Sequence, residues 1–305
     1  MSDATQPTPP KRTARLLDPS VLIGLANLEL VARTVVEGVL IGMHRSPRFG
    51  FSQEFAEYRA YEPGDDVRHI DWSALARTDR AYVKRYFGDT NHHLLVAIDA
   101  SASMGVGLGP SVSKWNYARF VAAALIYVAA RQHDAVGLFA FSGKGERLWP
   151  PTTRQLHIGR LYHELEQLVP GGGGSTARAF DVFAERVRKR TLFVLVSDFH
   201  GPADELRARI ASLGPRGHEV LLIQVLDERE REPGLRGVTL LEDAETGEAL
   251  PVSRAGAAEY ADRLKAHVRS VHDAARSLGA HHVCVYTDEP LDRTLADYLR
   301  FRARA

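Results

Sequence analysis

Short apolar runs that stop at polar residues alternate along this chain with longer segments of helical spacing. Residues 94–98, Leu-Leu-Val-Ala-Ile, are apolar on both faces and end at Asp99. Residues 134–141 (DAVGLFAF), 191–196 (TLFVLV), 218–226 (HEVLLIQVL) and 281–286 (HHVCVY) repeat the pattern. Short runs without polar alternation predict central strands of a sheet covered on both faces. Between them, residues 115–131 are nearly all apolar and predict a helix buried against a sheet face. Residues 157–168, 177–190, 204–213, 255–278 and 291–302 predict further helices. Strands alternating with helices give an α/β class, a doubly wound and mostly parallel sheet. Two hairpins interrupt the alternation. One turns at Ser142-Gly143-Lys144-Gly145; the other spans 238–252, with Glu245-Thr246-Gly247 at its turn.

The region before residue 91 has a different texture. Residues 1–17 are polar and Pro/Thr-rich and read as a disordered tail. Asp18-Pro19 suits a helix start, cap then first turn, and the helix is expected to run to about residue 43. Its apolar positions are interrupted by Glu29, Arg33 and Glu37, one charge every four residues. That charged face argues against a membrane span, and residues 120–130 are far shorter than the ~20 a span needs. With no leader visible, a cytoplasmic location is the expectation. Residues 44–50 form a basic connector. Residues 54–61 and 81–87 read as strands, with the turn Glu62-Pro63-Gly64-Asp65-Asp66 and a helical piece at 70–77 between them. The adjacent carboxylates Asp65 and Asp66 read as turn chemistry, within a network of both charge signs, rather than as an acid–base pair. The organisation expected is a tail (1–17), a helix with a small β-containing subdomain (18–90), and a main α/β domain (91–305) carrying the hairpin at 238–252.

Composition narrows the function. The 305 residues are 45% hydrophobic and 25% charged, with a formal net charge of +1. Near-neutrality gives no reason to expect nucleic acid as a partner. The single cysteine, Cys284, excludes an internal disulfide and a thiolate cluster, and its apolar surroundings place it in a buried strand. His92-His93 and His281-His282 lack metal-ligand spacing. Residues 137–144 fail the phosphate-loop pattern, since their spacing is one residue too long and Gly145 follows the Lys.

The chemistry gathers at strand ends. Asp99, Ser101 and Ser103 stand at alternate positions after the first apolar run. Ser175 and Thr176 close the loop Pro170-Gly171-Gly172-Gly173-Gly174, and Asp198 follows the strand at 191–196. In a parallel sheet all three segments lie at one edge, where such folds bind ligands. Carboxylates and hydroxyls together suit a small hard cation, Mg²⁺ or Mn²⁺, better than Zn²⁺. The simpler alternative is a strand end followed by a helix cap, which Asp and Ser also favour. A third is a Mg²⁺-dependent phosphatase or phosphotransferase with Asp99 as nucleophile. Haloacid-dehalogenase-like phosphatases place a nucleophilic Asp in this way and need a second Asp two residues on as general acid; Ser101 stands there.

Asp99-x-Ser101-x-Ser103, a later loop hydroxyl and Asp198 together resemble the metal-ion-dependent adhesion site of von Willebrand factor A domains. Glu54-Phe55, Arg59-x-Tyr61, Pro63-Gly64-Asp65-Asp66, Arg68-x-Ile70-Asp71-Trp72, Ala76-Arg77 and Val83-Lys84 resemble the signature of the bacterial family called domain of unknown function 58. The resemblance covers residue 18 to the C-terminus. It implies a non-enzymatic adaptor that uses a bound ion to hold an acidic residue of a partner, and a MoxR-type AAA+ ATPase as that partner. Similar sequences carry Thr where this chain has Gly174. The loop hydroxyl is therefore expected from Thr176, with Ser175 as the alternative.

Overall fold

The computed structural model describes residues 18–25, 27–44, 55–60, 75, 81–86, 92–106, 112–231, 239–242, 247–252 and 254–302. The chain divides into two units, residues 40–91 and the remainder. In the smaller unit, β1 (Phe55–Ala60) and β2 (Tyr82–Tyr86) pair antiparallel, from Phe55 opposite Tyr86 to Ala60 opposite Tyr82. These are the two strands expected there. The expected turn at 62–66 lies outside the described residues, as do Asp65 and Asp66 within it and, apart from Leu75, the helical piece at 70–77.

The single helix expected from residue 18 is two. Asp18 caps α1 (Pro19–Leu22) by accepting from Ser20 N at 2.9 Å. A second helix, α2 (Leu28–His44), starts anew because its first amide groups have acceptors of their own. Asn27 Oδ1 accepts from Leu30 N at 2.8 Å, and Glu166 Oε1 accepts from Leu28 N at 2.9 Å. Side-chain acceptors of this kind satisfy the orphan amides that mark a helix start. Leu28, Val31, Ala32, Val35, Val36 and Val39 are all buried, at the three-and-four spacing of one helical stripe. Arg33 and Glu37 pair on the outer face.

The main sheet follows the pattern of apolar runs. Its strands are β3 (His93–Asp99), β4 (Ala135–Ser142), β5 (Gly145–Thr152), β6 (Leu192–Ser197), β7 (Glu219–Leu226) and, after the small antiparallel pair β8 (Thr239–Glu242) and β9 (Ala249–Val252), β10 (His281–Tyr286). The helices between them are α3 (Ala102–Gly105), α4 (Lys114–Arg131), α5 (Gln155–Gln167), α6 (Thr176–Arg186), α7 (Ala203–Leu213), α8 (Glu228–Arg231), α9 (Arg254–Arg276) and α10 (Leu291–Arg302). The sheet order is β10-β7-β6-β3-β4-β5, and only the edge strand β5 runs antiparallel, as the turn of a hairpin with β4 requires. The chain leaves β3 toward β4 and later returns to β6 on the other side of β3. This reversal is the switch point of a doubly wound sheet, where a crevice opens at the carboxyl ends of the strands.

Both faces are covered. Leu95 and Ala97 of β3, Phe139 and Phe141 of β4, and Phe193 and Leu195 of β6 join Phe180, Phe183, Leu206, Ile210 and Val271 in one core. Phe183 stacks on Phe193 with ring centroids 4.2 Å apart. Such a pair adds ~0.5–1.5 kcal/mol beyond its area. The alternate residues Leu94, Val96 and Ile98 are equally buried on the opposite face, against α4. Thirteen of the eighteen α4 residues are buried, Lys114 among them. Cys284 lies in β10 as expected and is partly buried, and burial pushes its thiol up to about 12. No helix among the described residues is long and apolar enough to cross a membrane.

Candidate functional site

β3 and β6 are neighbours at the switch point, with Ile98 opposite Val196. The next residues, Asp99 and Ser197, therefore meet across the crevice. Ser197 Oγ donates to Asp99 Oδ2 at 2.7 Å, and Ser101 N donates to Asp99 Oδ1 at 2.9 Å. Ser101 stands at the N-cap of α3 but makes no side-chain cap bond. Its hydroxyl lies 3.1 Å from that of Ser103. Capping thus leaves the Ser101 hydroxyl unclaimed, and three oxygen-bearing side chains of one short segment stay together.

Asp198 sits in a turn that tertiary contacts hold. Phe199 has φ +52, a left-handed conformation costly for a bulky residue. Its amide donates to Ser197 Oγ at 3.1 Å, and its carbonyl accepts from His267 Nε2 at 2.6 Å. The Asp198 carbonyl accepts from Gln224 Nε2 at 2.8 Å, and Gln224 Oε1 accepts from His282 Nε2 at 3.1 Å.

The two acids differ in what balances them. Lys114 Nζ, at the first position of α4, is 2.9 Å from Asp198 Oδ2 and 3.5 Å from Glu230 Oε1, and all three side chains are buried. His200 Nε2, partly exposed, lies 3.3 Å from Asp198 Oδ2 and 3.7 Å from Glu230 Oε1. Burial alone would raise the Asp198 carboxyl, but Lys114, His200 and a hydrogen bond from Ser103 outweigh it and hold the group below its ordinary value. Asp99 pairs with no basic side chain among the described residues. Burial, then the charge of Asp198, pushes its carboxyl up to about 6, against the hydrogen bonds from Ser197 and Ser101.

The glycine loop packs directly on this segment. Gly171 N donates to Ala100 O at 2.9 Å, and Ala102 N donates to Gly172 O at 2.8 Å. A Cβ on Gly174 would stand 2.8 Å from Ser101 Cβ and 2.9 Å from Asp99 Oδ1. Bare backbone is what lets this strand of loop lie over the acid. Ser175 is exposed and serves as the N-cap of α6, its hydroxyl accepting from Arg178 N at 3.3 Å. Thr176 is the first residue of that helix. The loop residue that abuts Asp99 and Ser101 is thus Gly174, which bears no hydroxyl.

The donor set fits a hard dication and no softer metal. Among the described residues, no three His, Cys, Asp or Glu side chains form a ligating group, so hydroxyls around Asp99 would have to complete the shell. Asp99, Asp198 and Glu230 are buried carboxylates, and the buried ammonium of Lys114 is held by the latter two. Counting these four groups alone, two further positive charges would balance the cluster. Sequence reasoning missed Lys114, Glu230, His200 and Ser197. A signal for Lys114 existed: a cation at the first turn of a helix opposes the macrodipole, so it implies an acid nearby.

Fold and site together define a doubly wound α/β domain with an acid-and-hydroxyl cluster at its switch point. The chain belongs to the family described as Protein of unknown function DUF58, whose model matches residues 57–271. Uncharacterized proteins of Mycobacterium tuberculosis and Mycobacterium bovis are each 32% identical over 291 residues, covering 94% of this chain and 90% of theirs. Among solved structures, the conserved hypothetical protein BatB of Bacteroides thetaiotaomicron aligns over 70% of this chain and 100% of its own, at 15% identity and a TM-score of 0.43. The SpRpn10 VWA domain aligns over 68% of this chain and 95% of its own, at 12% identity and a TM-score of 0.43.

Proposed function

We propose that this protein is a non-enzymatic interaction module in which a divalent cation, Mg²⁺ or Mn²⁺, is held at the Asp99 loop and captures an acidic side chain of a partner protein. The observation that carries the reading is Asp99 itself: a buried carboxylate without a basic partner among the described residues, beside two hydroxyls that capping does not use. A buried charge without a counter-charge is costly, and a dication supplies the missing one. Asp99, Ser101 and Ser103 would hold the ion, with Asp198 close by. Thr176 and Ser175, the hydroxyls expected from the glycine loop, stand second to these. When bound, the ion offers a Lewis-acidic position for a carboxylate from outside.

The residues of the chain do the positioning. Ser197 and the Ser101 amide fix both Asp99 oxygens. The bare backbone of Gly174 closes over them. Lys114 keeps Asp198 ionised. Ser101, where a phosphatase would need its general acid, leaves Asp99 without a partner for phosphoryl chemistry. The resemblance to the family points to a MoxR-type AAA+ ATPase as the partner.

The deciding experiment combines stability and capture. Mg²⁺ or Mn²⁺ is expected to raise the melting temperature of the wild type and to support co-purification with a purified MoxR-type ATPase, and Asp99→Ala is expected to abolish both. A melting temperature unmoved by either ion in the wild type would overturn the metal reading. Ion-independent capture would overturn the ion's role in recognition.

A further inference from the structure

The buried Lys114 is not accounted for by the domain's fold or by the adhesion-site pattern. Lysine is almost never buried unless paired. Here it occupies the first position of α4, where the helix dipole disfavours a cation. Its ammonium is held by Asp198 at 2.9 Å and Glu230 at 3.5 Å, with His200 Nε2 at 3.5 Å. Glu230 is itself fixed, its Oε2 accepting from Asp227 N at 2.7 Å. The ammonium thus has a built seat on Asp198, one residue along from Ser197, which bonds Asp99 across the switch point.

We infer that Lys114 is a resident cation that sets how tightly the Asp99 loop takes a divalent ion, by neutralising Asp198 and leaving Asp99 as the principal charge for the incoming metal. This rests on the metal reading proposed above. Lys114 is a tuning residue, not a ligand. Charges a few ångströms apart in a buried setting interact far more strongly than in water, so a fixed positive charge on Asp198 weakens any dication beside it. Removing that charge converts a site with one available acid into a site with two. Removing Glu230 instead concentrates the ammonium on Asp198 and subtracts a nearby negative charge, so affinity must fall.

The test is Mn²⁺ titration of the full chain, followed by the electron paramagnetic resonance signal of free Mn²⁺, for wild type, Lys114→Met, Glu230→Gln and Asp99→Ala. The expected result is tightening of at least about tenfold in K114M, weakening of about threefold or more in E230Q, and loss in D99A. A merely structural ion pair would not move the two variants in opposite directions. If K114M binds Mn²⁺ no better than wild type while D99A still abolishes binding, the inference about Lys114 fails and the metal reading stands. If neither wild type nor K114M binds, the metal reading itself fails. Should far-UV circular dichroism show that K114M does not fold, E230Q decides: unchanged or tighter binding there overturns the inference.

Discussion

Asp99 and Asp198 end neighbouring strands of one sheet, and each is 3% exposed. Their electrostatic states are nonetheless opposite. Asp198 receives an ammonium from the start of α4 and stays below its ordinary value. Asp99 receives hydrogen bonds from Ser197 and Ser101 but no basic side chain among the described residues, and is pushed up to about 6. Burial costs both groups alike; what separates them is whether a neighbouring element delivers a full opposite charge. The pair shows how one strand edge can hold a settled acid and an acid still open to a cation.

The largest expected effect tests that contrast directly. Asp198→Asn removes the nearer of the two acids that hold the buried Lys114 ammonium and leaves it to Glu230; it is expected to cost up to about 3–5 kcal/mol in metal-free protein, the range for broken buried pairs. Asp99→Asn removes an uncompensated charge and keeps an acceptor for the Ser101 amide, so it is expected to leave metal-free stability unchanged or raised. Urea denaturation in the presence of chelator measures both, and equal losses would break the comparison.

His282 sharpens it from the next strand. Burial, then the nearby His272, His281 and His267, lower its pKa from 6.5 to about 4. A histidine lowered in the fold contributes stability that is fully present above about pH 6.5 and is lost as pH falls toward 4. The shift amounts to roughly 3 kcal/mol. His282→Gln, which can still donate to Gln224, is expected to flatten that acid limb in a series of denaturation curves. An unchanged limb would assign the acid sensitivity to another group.

Gly174→Ala is smaller. Its Cβ must displace Ser101 or the loop from 2.8 Å, at about 1–3 kcal/mol. Stability should fall, and Mn²⁺ binding at the Asp99 loop should weaken with it; a variant matching wild type in both would mean the loop moves freely. Last comes the exposed Arg33–Glu37 pair. Arg33→Ala is expected to leave the melting temperature unchanged within error, in contrast to any change at the buried Lys114.

How much of this was legible in the sequence varies by element. Residues 281–286 and 291–302 coincide with β10 and α10 to the residue. The helix expected from residue 18 is two: Asn27, a local cap that the sequence reading passed over, accepts from Leu30 N, and Glu166, 138 positions away, accepts from Leu28 N, which no local signal announces. Asp99, Ser101, Ser103 and Asp198 could be gathered from the parallel-sheet rule. Ser175 could not be assigned: a hydroxyl before a helix reads equally as ligand and as cap, and the structure uses it as a cap.

What the sequence determined by itself is the alternation of apolar runs and helical segments, and with it a sheet whose polar strand ends share one edge. That follows from local periodicity and from chirality, which constrain strand order and crossover hand without reference to distant residues. Only the tertiary structure decided that Lys114, 84 positions from Asp198 in sequence, closes an ion pair with it, and that Gly174 lies over Asp99. Charge pairing at a few ångströms depends on which side chains the packing of whole elements brings together. Spacing along the chain does not encode it.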